Sequence, residues 1–262
     1  MKVLELFCGT KSFTKVAEAR GHDCRTLDND PRFKPTYCMD IMGFEPSVLD
    51  GWAPDIIWAS PPCQCFSVMV ISKNWENKRF NAPKPKRPQT IIAMDIAKKT
   101  IDIIKGLHPK YYFIENPRAM LRKMPFMKGW HKSTVTYCQY GLEYQKATDI
   151  WNNCYHWKPR PVCSARSPCH VRAPRGSKAG LQAVGRFKQF PNRNGKNPLH
   201  PGDVATHRAT LHPTEMSYVG KQRNSIHPED MKQEPGWGKA ALRAVVPRQL
   251  CEEIIIACEG GP

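Results

Sequence analysis

The first 150 or so residues alternate short apolar runs with stretches of helical periodicity, and this alternation leaves few folds open. The apolar runs are "KVLELF", "DCRTLD", "PDIIWA" and "KYYFIEN". The first two are separated by a helical stretch through Phe13, Val16, Ala17 and Ala19 that stops at Gly21, and the last two by "TIIAMDIAKKTIDIIKGL", with Ile91, Ile92, Met94, Ile96, Ile101, Ile103 and Ile104. Strand, helix and strand in repeated succession predict a parallel sheet flanked by helices, an α/β fold. At 262 residues the chain suits one large domain, or one domain with a small appendage.

Beyond Trp151 the pattern stops. Pro, Gly, Arg, Lys, His and Asn dominate until about Gly238, and such a segment forms little core of its own. "ALRAVVPRQLCEEIIIACEG" then predicts a last helix, starting near Pro247 and returning to the first domain. The formal charge of +17 points to a polyanionic partner, most often nucleic acid. Eleven cysteines would suggest disulfides in a short secreted chain, but "MKVLELFCG" lacks the form of a leader. No apolar run reaches the ~18 residues of a membrane span. Reduced thiols and a cytoplasmic setting are therefore expected.

In an open parallel sheet, ligands bind beyond the carboxyl ends of the strands. Four such ends carry chemistry here. The first strand runs into Phe7, Cys8 and the Gly9 turn; the second ends in Asp28, about twenty residues later, the usual spacing for a carboxylate that holds ribose hydroxyls. The turn "CGTKS" lacks a full G-x-G-x-x-G and makes a poor pyrophosphate cradle, which suits a nucleoside cofactor without phosphates, such as S-adenosylmethionine.

The other two ends are "SPPCQ" and "ENPR", which place Cys63 and Glu115 at one edge. A buried thiol or a solvated glutamate is the common reading of each alone. Together they suit one reaction. Cytosine C5 is a weak nucleophile until a thiolate adds to C6 and makes it an enamine carbon, and that addition needs a proton or strong hydrogen bond at N3, which a buried carboxyl group can supply. The prolines restrict the loop that carries the thiol. Directly after it, "SKNWENKRFNAPKPKRPQT" has six Lys or Arg against one Glu; it is either a solvated loop or a basic cover over a nucleic-acid backbone. Within it, Trp75 and Phe80 either touch the base or anchor the loop.

These residues, in this order, resemble the cytosine-C5 DNA methyltransferases. "LELFCGTKSFTKVAEARG" is similar to the family's cofactor-binding motif, "LDNDP" and "CMDIMGF" to the next two, "SPPCQCFS" to the nucleophile motif, "FIENPR" to the carboxylate motif, and "VVPRQLCEEII" to the closing motif. The resemblance implies a Rossmann-like S-adenosylmethionine-dependent methyltransferase fold, mainly parallel, with a small irregular target-recognition region. It implies a catalytic and cofactor-binding domain over 1–154, a basic recognition region over 155–238, and a returning C-terminal helix over 239–262. Cys63 would be the nucleophile and Glu115 the group at N3 and N4. Phe7, Cys8, Gly9, Asp28, Asn29, Asp40, Ile41 and Pro61 would line the cofactor site. The implied activity is methyl transfer to C5 of a cytosine flipped out of double-stranded DNA, by a monomer in a prokaryotic or phage-infected cell.

Three departures accompany the resemblance. Lys11 and Ser12 stand where the family has small residues; the Gln-x-Arg-x-Arg run is reduced to "YQKATDIW", leaving Lys146 and Thr148; and "RAVVP" replaces a Gly-Asn pair. Four alternatives stay open on the residues: an amino-methyltransferase acting on cytosine N4 or adenine N6, an RNA cytosine methyltransferase, a binding protein without turnover, and a structural zinc on Cys154, His156, Cys163, Cys169 and His170. The irregular spacing of that last group lacks paired C-x-x-C units, so no metal is expected.

Overall fold

The structure is a computed structural model and describes residues 1–76, 83–142, 145–164 and 244–261. Strands β1 (Lys2–Leu6), β2 (Asp23–Asp28), β3 (Tyr37–Cys38), β4 (Ile56–Ala59), β7 (Tyr111–Pro117), β8 (Lys132–Thr136) and β9 (Ala147–Asn152) form one sheet in the order β3-β2-β1-β4-β7-β9-β8. Strands β5 (Trp75–Glu76) and β6 (Lys84–Pro85) pair separately. The helices are α1 (Ser12–Ala19), α2 (Ile71–Asn74), α3 (Pro88–Leu107) and α4 (Arg248–Glu259). From β3 through β7 every pairing is parallel, whereas β9 runs antiparallel to β7. The expected mainly parallel α/β sheet is the observed one.

The apolar runs become strands because both faces of the sheet are covered, which permits continuous hydrophobic sequence. Leu4, Leu6, Ile57, Ala59 and Ile114 join Ala93, Ala97, Ile101 and Ile104 of α3 in one buried cluster. On the other face Phe13 of α1 stacks on Trp58 at 4.7 Å between ring centroids, and Trp58 stacks on Phe113 at 6.1 Å. Helix α3 starts with Pro88 in its first turn, where the missing N–H is no loss, and ends as His108 turns left-handed. Its apolar face is narrower than its composition suggests: Ile91 and Ile92 stay about half exposed.

Chain order reverses at β1. The path runs outward through β2 and β3, then returns to β4 on the opposite side and continues to β7. The carboxyl ends of β1 and β4 therefore flank a topological switch point, where open α/β sheets bind ligands. Helix α4 packs on α1, burying Leu250, Ile254 and Ile255. Glu259 at its end accepts from Arg20 Nε at 3.0 Å and lies 2.8 Å from His22 Nε2. Such an exposed ionic cluster adds little compared with the buried apolar face.

By its contacts the chain divides into two compact units, one of Met1–Val135, Ala147–Pro159 and Glu234–Pro262, the other of Thr136–Lys146 and Arg160–Gln233. Most of the expected recognition region, 155–238, lies outside the described residues, as do Phe80, Cys169 and His170. Among the described residues, no helix is long and apolar enough to cross a membrane.

Candidate active site

The turn between β1 and α1 is built from unusual backbone. Phe7, Gly9 and Lys11 all have positive φ, at 58°, 45° and 56°. Glycine adopts this region freely, but a bulky residue such as Phe7 does so only where its surroundings impose it. Three contacts hold the turn. Asp28, at the end of β2, accepts from Gly9 N at 2.9 Å; Cys8 N donates to Leu27 O at 3.1 Å; and Lys11 Nζ donates to Lys34 O at 2.6 Å. Asp28 also accepts from Asp30 N at 3.0 Å, so each of its carboxylate oxygens is held by a main-chain N–H.

Beside it, Asp40 accepts from Met42 N at 2.8 Å and starts a 3₁₀ turn that buries Ile41. Phe7 is half-buried, Asn29 and Asp40 are exposed, and Cys8 is packed, its thiol pushed up to about 12 by burial and by the carboxylates of Glu5 and Asp28. Cys8 is thus a packed residue of the turn. Two of the sequence departures meet here. Ser12 Oγ accepts from Val246 N at 3.2 Å, so Val246 is tied to the very turn in which Lys11 and Ser12 replace small residues.

One contributor was not singled out from sequence. Glu5, on β1, is buried and takes the N–H groups of Phe13 at 3.4 Å and Thr14 at 2.8 Å, together with the Thr14 hydroxyl. It caps the first turn of α1 from the neighbouring strand. Burial nevertheless pushes its carboxyl up to about 7. The signal was present as the single charge inside "VLELF", but no local spacing connects it to Thr14.

The second edge is built by side chains. In the β4–β7 register Ala59 lies opposite Ile114, so Ser60 and Glu115 follow at the same level. Pro61 is buried, Cys63 is half-buried and Glu115 is buried. Asn116 is fully buried and donates from Nδ2 to Pro61 O at 2.9 Å, so the strand that carries Glu115 grips the loop that carries Cys63 directly. After Cys63 the chain closes a tight turn, with Phe66 N and Ser67 N both donating to Cys63 O at 3.0 Å. Phe66 O accepts from Met120 N at 3.0 Å. Trp75 is fully buried, packs against Phe66 and donates from Nε1 to Cys65 O at 2.6 Å. Of the two roles open to Trp75, the structure selects anchoring: it holds the loop from beneath.

The remaining motif positions divide. Thr148 is buried opposite Pro117 on β9. Lys146 belongs to the second unit, where its ammonium lies 4.6 Å from the Tyr137 ring centre. Of the residues weighed for zinc, Cys154 is hydrogen-bonded with Cys258, which lowers its thiol to about 6 and raises that of Cys258, while Cys163 Sγ lies 3.1 Å from Cys138 Sγ. Among the described residues no group of three or more His, Cys, Asp or Glu is arranged to hold a metal ion.

The profile of the C-5 cytosine-specific DNA methylase family matches residues 1–145. A "Probable DNA (cytosine-5)-methyltransferase" of Frog virus 3 (isolate Goorha) is 28% identical over 172 residues, covering 64% of this chain and 78% of that protein. Among solved structures, the Entamoeba histolytica methyltransferase EhMeth superposes with a TM-score of 0.55 at 11% identity, over 98% of this chain and 97% of its own. The S. pombe Dnmt2 methyltransferase gives 0.52 at 11% identity, over 99% and 98%. At such identities the two structures speak for the fold alone.

Proposed function

Because this chain belongs to the C-5 cytosine-specific DNA methylase family, we propose that it transfers a methyl group from S-adenosylmethionine to C5 of a cytosine flipped out of double-stranded DNA, through a covalent bond from Cys63 Sγ to C6. The observation that carries this reading is the Asn116–Pro61 hydrogen bond across the aligned ends of β4 and β7, which couples the Cys63 loop to Glu115.

The turn fits a phosphate-free nucleoside cofactor. It offers a preoriented carboxylate in Asp28 for a ribose diol, a strained aromatic in Phe7 and a buried Ile41 for the purine, with Asp40 and Asn29 at the rim. Cys8, Gly9 and Pro61 would form its walls. Such a cofactor supplies an electrophilic methyl group on a sulfonium. The chain's own residues do the rest. Cys63 adds to C6, Glu115 holds a proton or hydrogen bond at N3 as negative charge develops there, and C5 becomes nucleophilic. Loss of the C5 proton and expulsion of Cys63 then restore the ring.

The +17 charge supports a polyanionic substrate, with lysines and arginines mainly on phosphates and salt-dependent affinity. Residues 155–238 would form the recognition region, 1–154 the catalytic domain and 239–262 the returning helix, in a monomer that works in a prokaryotic or virus-infected cell. The test is incubation with labelled S-adenosylmethionine and competing DNA and RNA duplexes, followed by nucleoside mass analysis. 5-Methylcytosine from DNA is expected. N4-methylcytosine, N6-methyladenine or a product confined to RNA would overturn the assignment.

A further inference from the structure

The run corresponding to Gln-x-Arg-x-Arg contains no arginine, yet a guanidinium is present at its end from another part of the chain. Asp149, on β9, is fully buried and lies directly opposite Asn116 in the β7–β9 ladder. Arg122, in the short 3₁₀ turn Leu121–Lys123 that follows β7, grips it with two prongs: Nε donates to Oδ2 at 2.7 Å and Nη2 donates to Oδ1. Thr134 Oγ1 of β8 donates to the same Asp149 oxygen at 2.8 Å and accepts from Arg122 Nη2 at 3.1 Å. One buried carboxylate thus joins β8, β9 and the turn after β7. A buried charge held this way is costly to leave half-made, and paired carboxylates in the core add little stability over apolar packing; their advantage is a fixed geometry.

The neighbouring residue shows what geometry is fixed. Asn116 is fully buried; its Nδ2 holds Pro61 O, two residues before Cys63, while its Oδ1 is buried without a hydrogen-bond partner among the described residues. An amide in that condition depends on the surrounding backbone to keep its single bond aimed. The surrounding backbone is the β7–β9 ladder: Glu115 opposite Ile150, Asn116 opposite Asp149, Pro117 opposite Thr148, and Arg118 N donating to Ala147 O at 2.9 Å.

We propose that Arg122 is a positioning residue for methyl transfer: by clamping Asp149 it holds the β7–β9 ladder in register, and through Asn116 it sets the Pro61–Cys63 loop against Glu115. This rests on the function proposed above. Arg122 touches neither the thiol nor the base in this scheme; it acts through Asp149. Lysine cannot replace it fully, because an ammonium lacks the planar fork.

The test compares the wild-type chain with Arg122→Ala, Arg122→Lys and the milder Thr134→Val, under single-turnover conditions at saturating cofactor and DNA. Native-state hydrogen exchange of residues 111–118 and the alkylation rate of Cys63 by iodoacetamide are read in parallel. For Arg122→Ala a rate loss on the order of 30-fold is expected. Its cofactor Kd should stay within about threefold, exchange at Glu115–Arg118 should be faster, and added guanidinium ion should restore part of the rate. Arg122→Lys should fall between, and Thr134→Val should lose only about threefold. A folded Arg122→Ala with unchanged exchange and unchanged Cys63 alkylation overturns the proposal. So does a rate loss that follows thermal unfolding in all three variants without guanidinium rescue. If the wild type itself transfers no methyl group, the functional reading fails, while the exchange and alkylation data still decide whether Arg122 holds the β7–β9 ladder and the Cys63 loop.

Discussion

The two halves of the site are built by opposite means. At the β1–β2 ends the backbone carries the shape: Phe7, Gly9 and Lys11 sit at positive φ, and Asp28 uses its carboxylate on main-chain N–H groups. At the β4–β7 ends the backbone is ordinary strand and proline, and side chains carry the shape: Asn116 on Pro61, Trp75 on Cys65, Arg122 on Asp149. Under the proposed function the first half would present an open surface to a small nucleoside, and a turn already held by main-chain hydrogen bonds does not collapse when a ligand leaves. Under the proposed function the second half would keep a thiol and a carboxylate at fixed separation while a base enters between them, which calls for cross-strand side-chain ties. Substitutions should therefore separate cleanly, with binding lost at one edge and chemistry at the other.

The largest effect belongs to the chemical edge. Cys63→Ala should abolish methyl transfer while cofactor affinity stays within about threefold, checked by single-turnover transfer and calorimetry; measurable turnover would break the division. Glu115→Gln should slow the chemical step by about 10²-fold at saturating cofactor and DNA, as for loss of a positioned acid. At the binding edge, Asp28→Ala should raise the cofactor Kd by roughly tenfold, about 1.4 kcal/mol, with the saturated rate within about twofold. A rate loss at saturation would show that the edges are coupled.

The smallest effect concerns Glu5, which supports α1 from beneath the binding edge. Its folded-state carboxyl titrates near 7 instead of the ordinary 4.5, so the folded chain holds a proton that the unfolded chain has released. That stability is complete below about pH 4.5 and lost as pH rises through about 7. Thermal unfolding between pH 6 and 8.5 should therefore show a decline on the order of 1 kcal/mol from this group, absent in Glu5→Gln. An identical pH profile in that variant would place the buried charge elsewhere.

What could be read from sequence follows from how each feature is encoded. The parallel strands and α1, α3 and α4 are periodic or continuous apolar patterns, so each announces itself within a dozen residues. The placement of Cys63 and Glu115 at one edge was legible because strand ends in a parallel sheet converge by topology alone. Strand β3, two residues long, carries too little pattern to read. The antiparallel direction of β9 depends on the chain's return path and leaves no local mark. Arg122 with Asp149, Glu5 with Thr14, and Val246 with Ser12 are single long-range pairs separated by 27, 9 and 234 positions. They obey no period, and only the folded chain brings them together. The choice between roles for Trp75 was likewise settled by packing, because an aromatic in a basic loop serves either purpose until its burial is known.

The central claim is that Cys63 is a nucleophile held against Glu115. Its most direct test is incubation of the protein with S-adenosylmethionine and duplex DNA carrying 5-fluorocytosine, followed by denaturing mass analysis and peptide mapping. The account predicts a covalent protein–DNA adduct at Cys63, because fluorine at C5 cannot leave as a proton does and the thiol stays attached to C6. A cofactor-bound protein that forms no adduct across a broad set of DNA sequences, or that forms one at another residue, would contradict it.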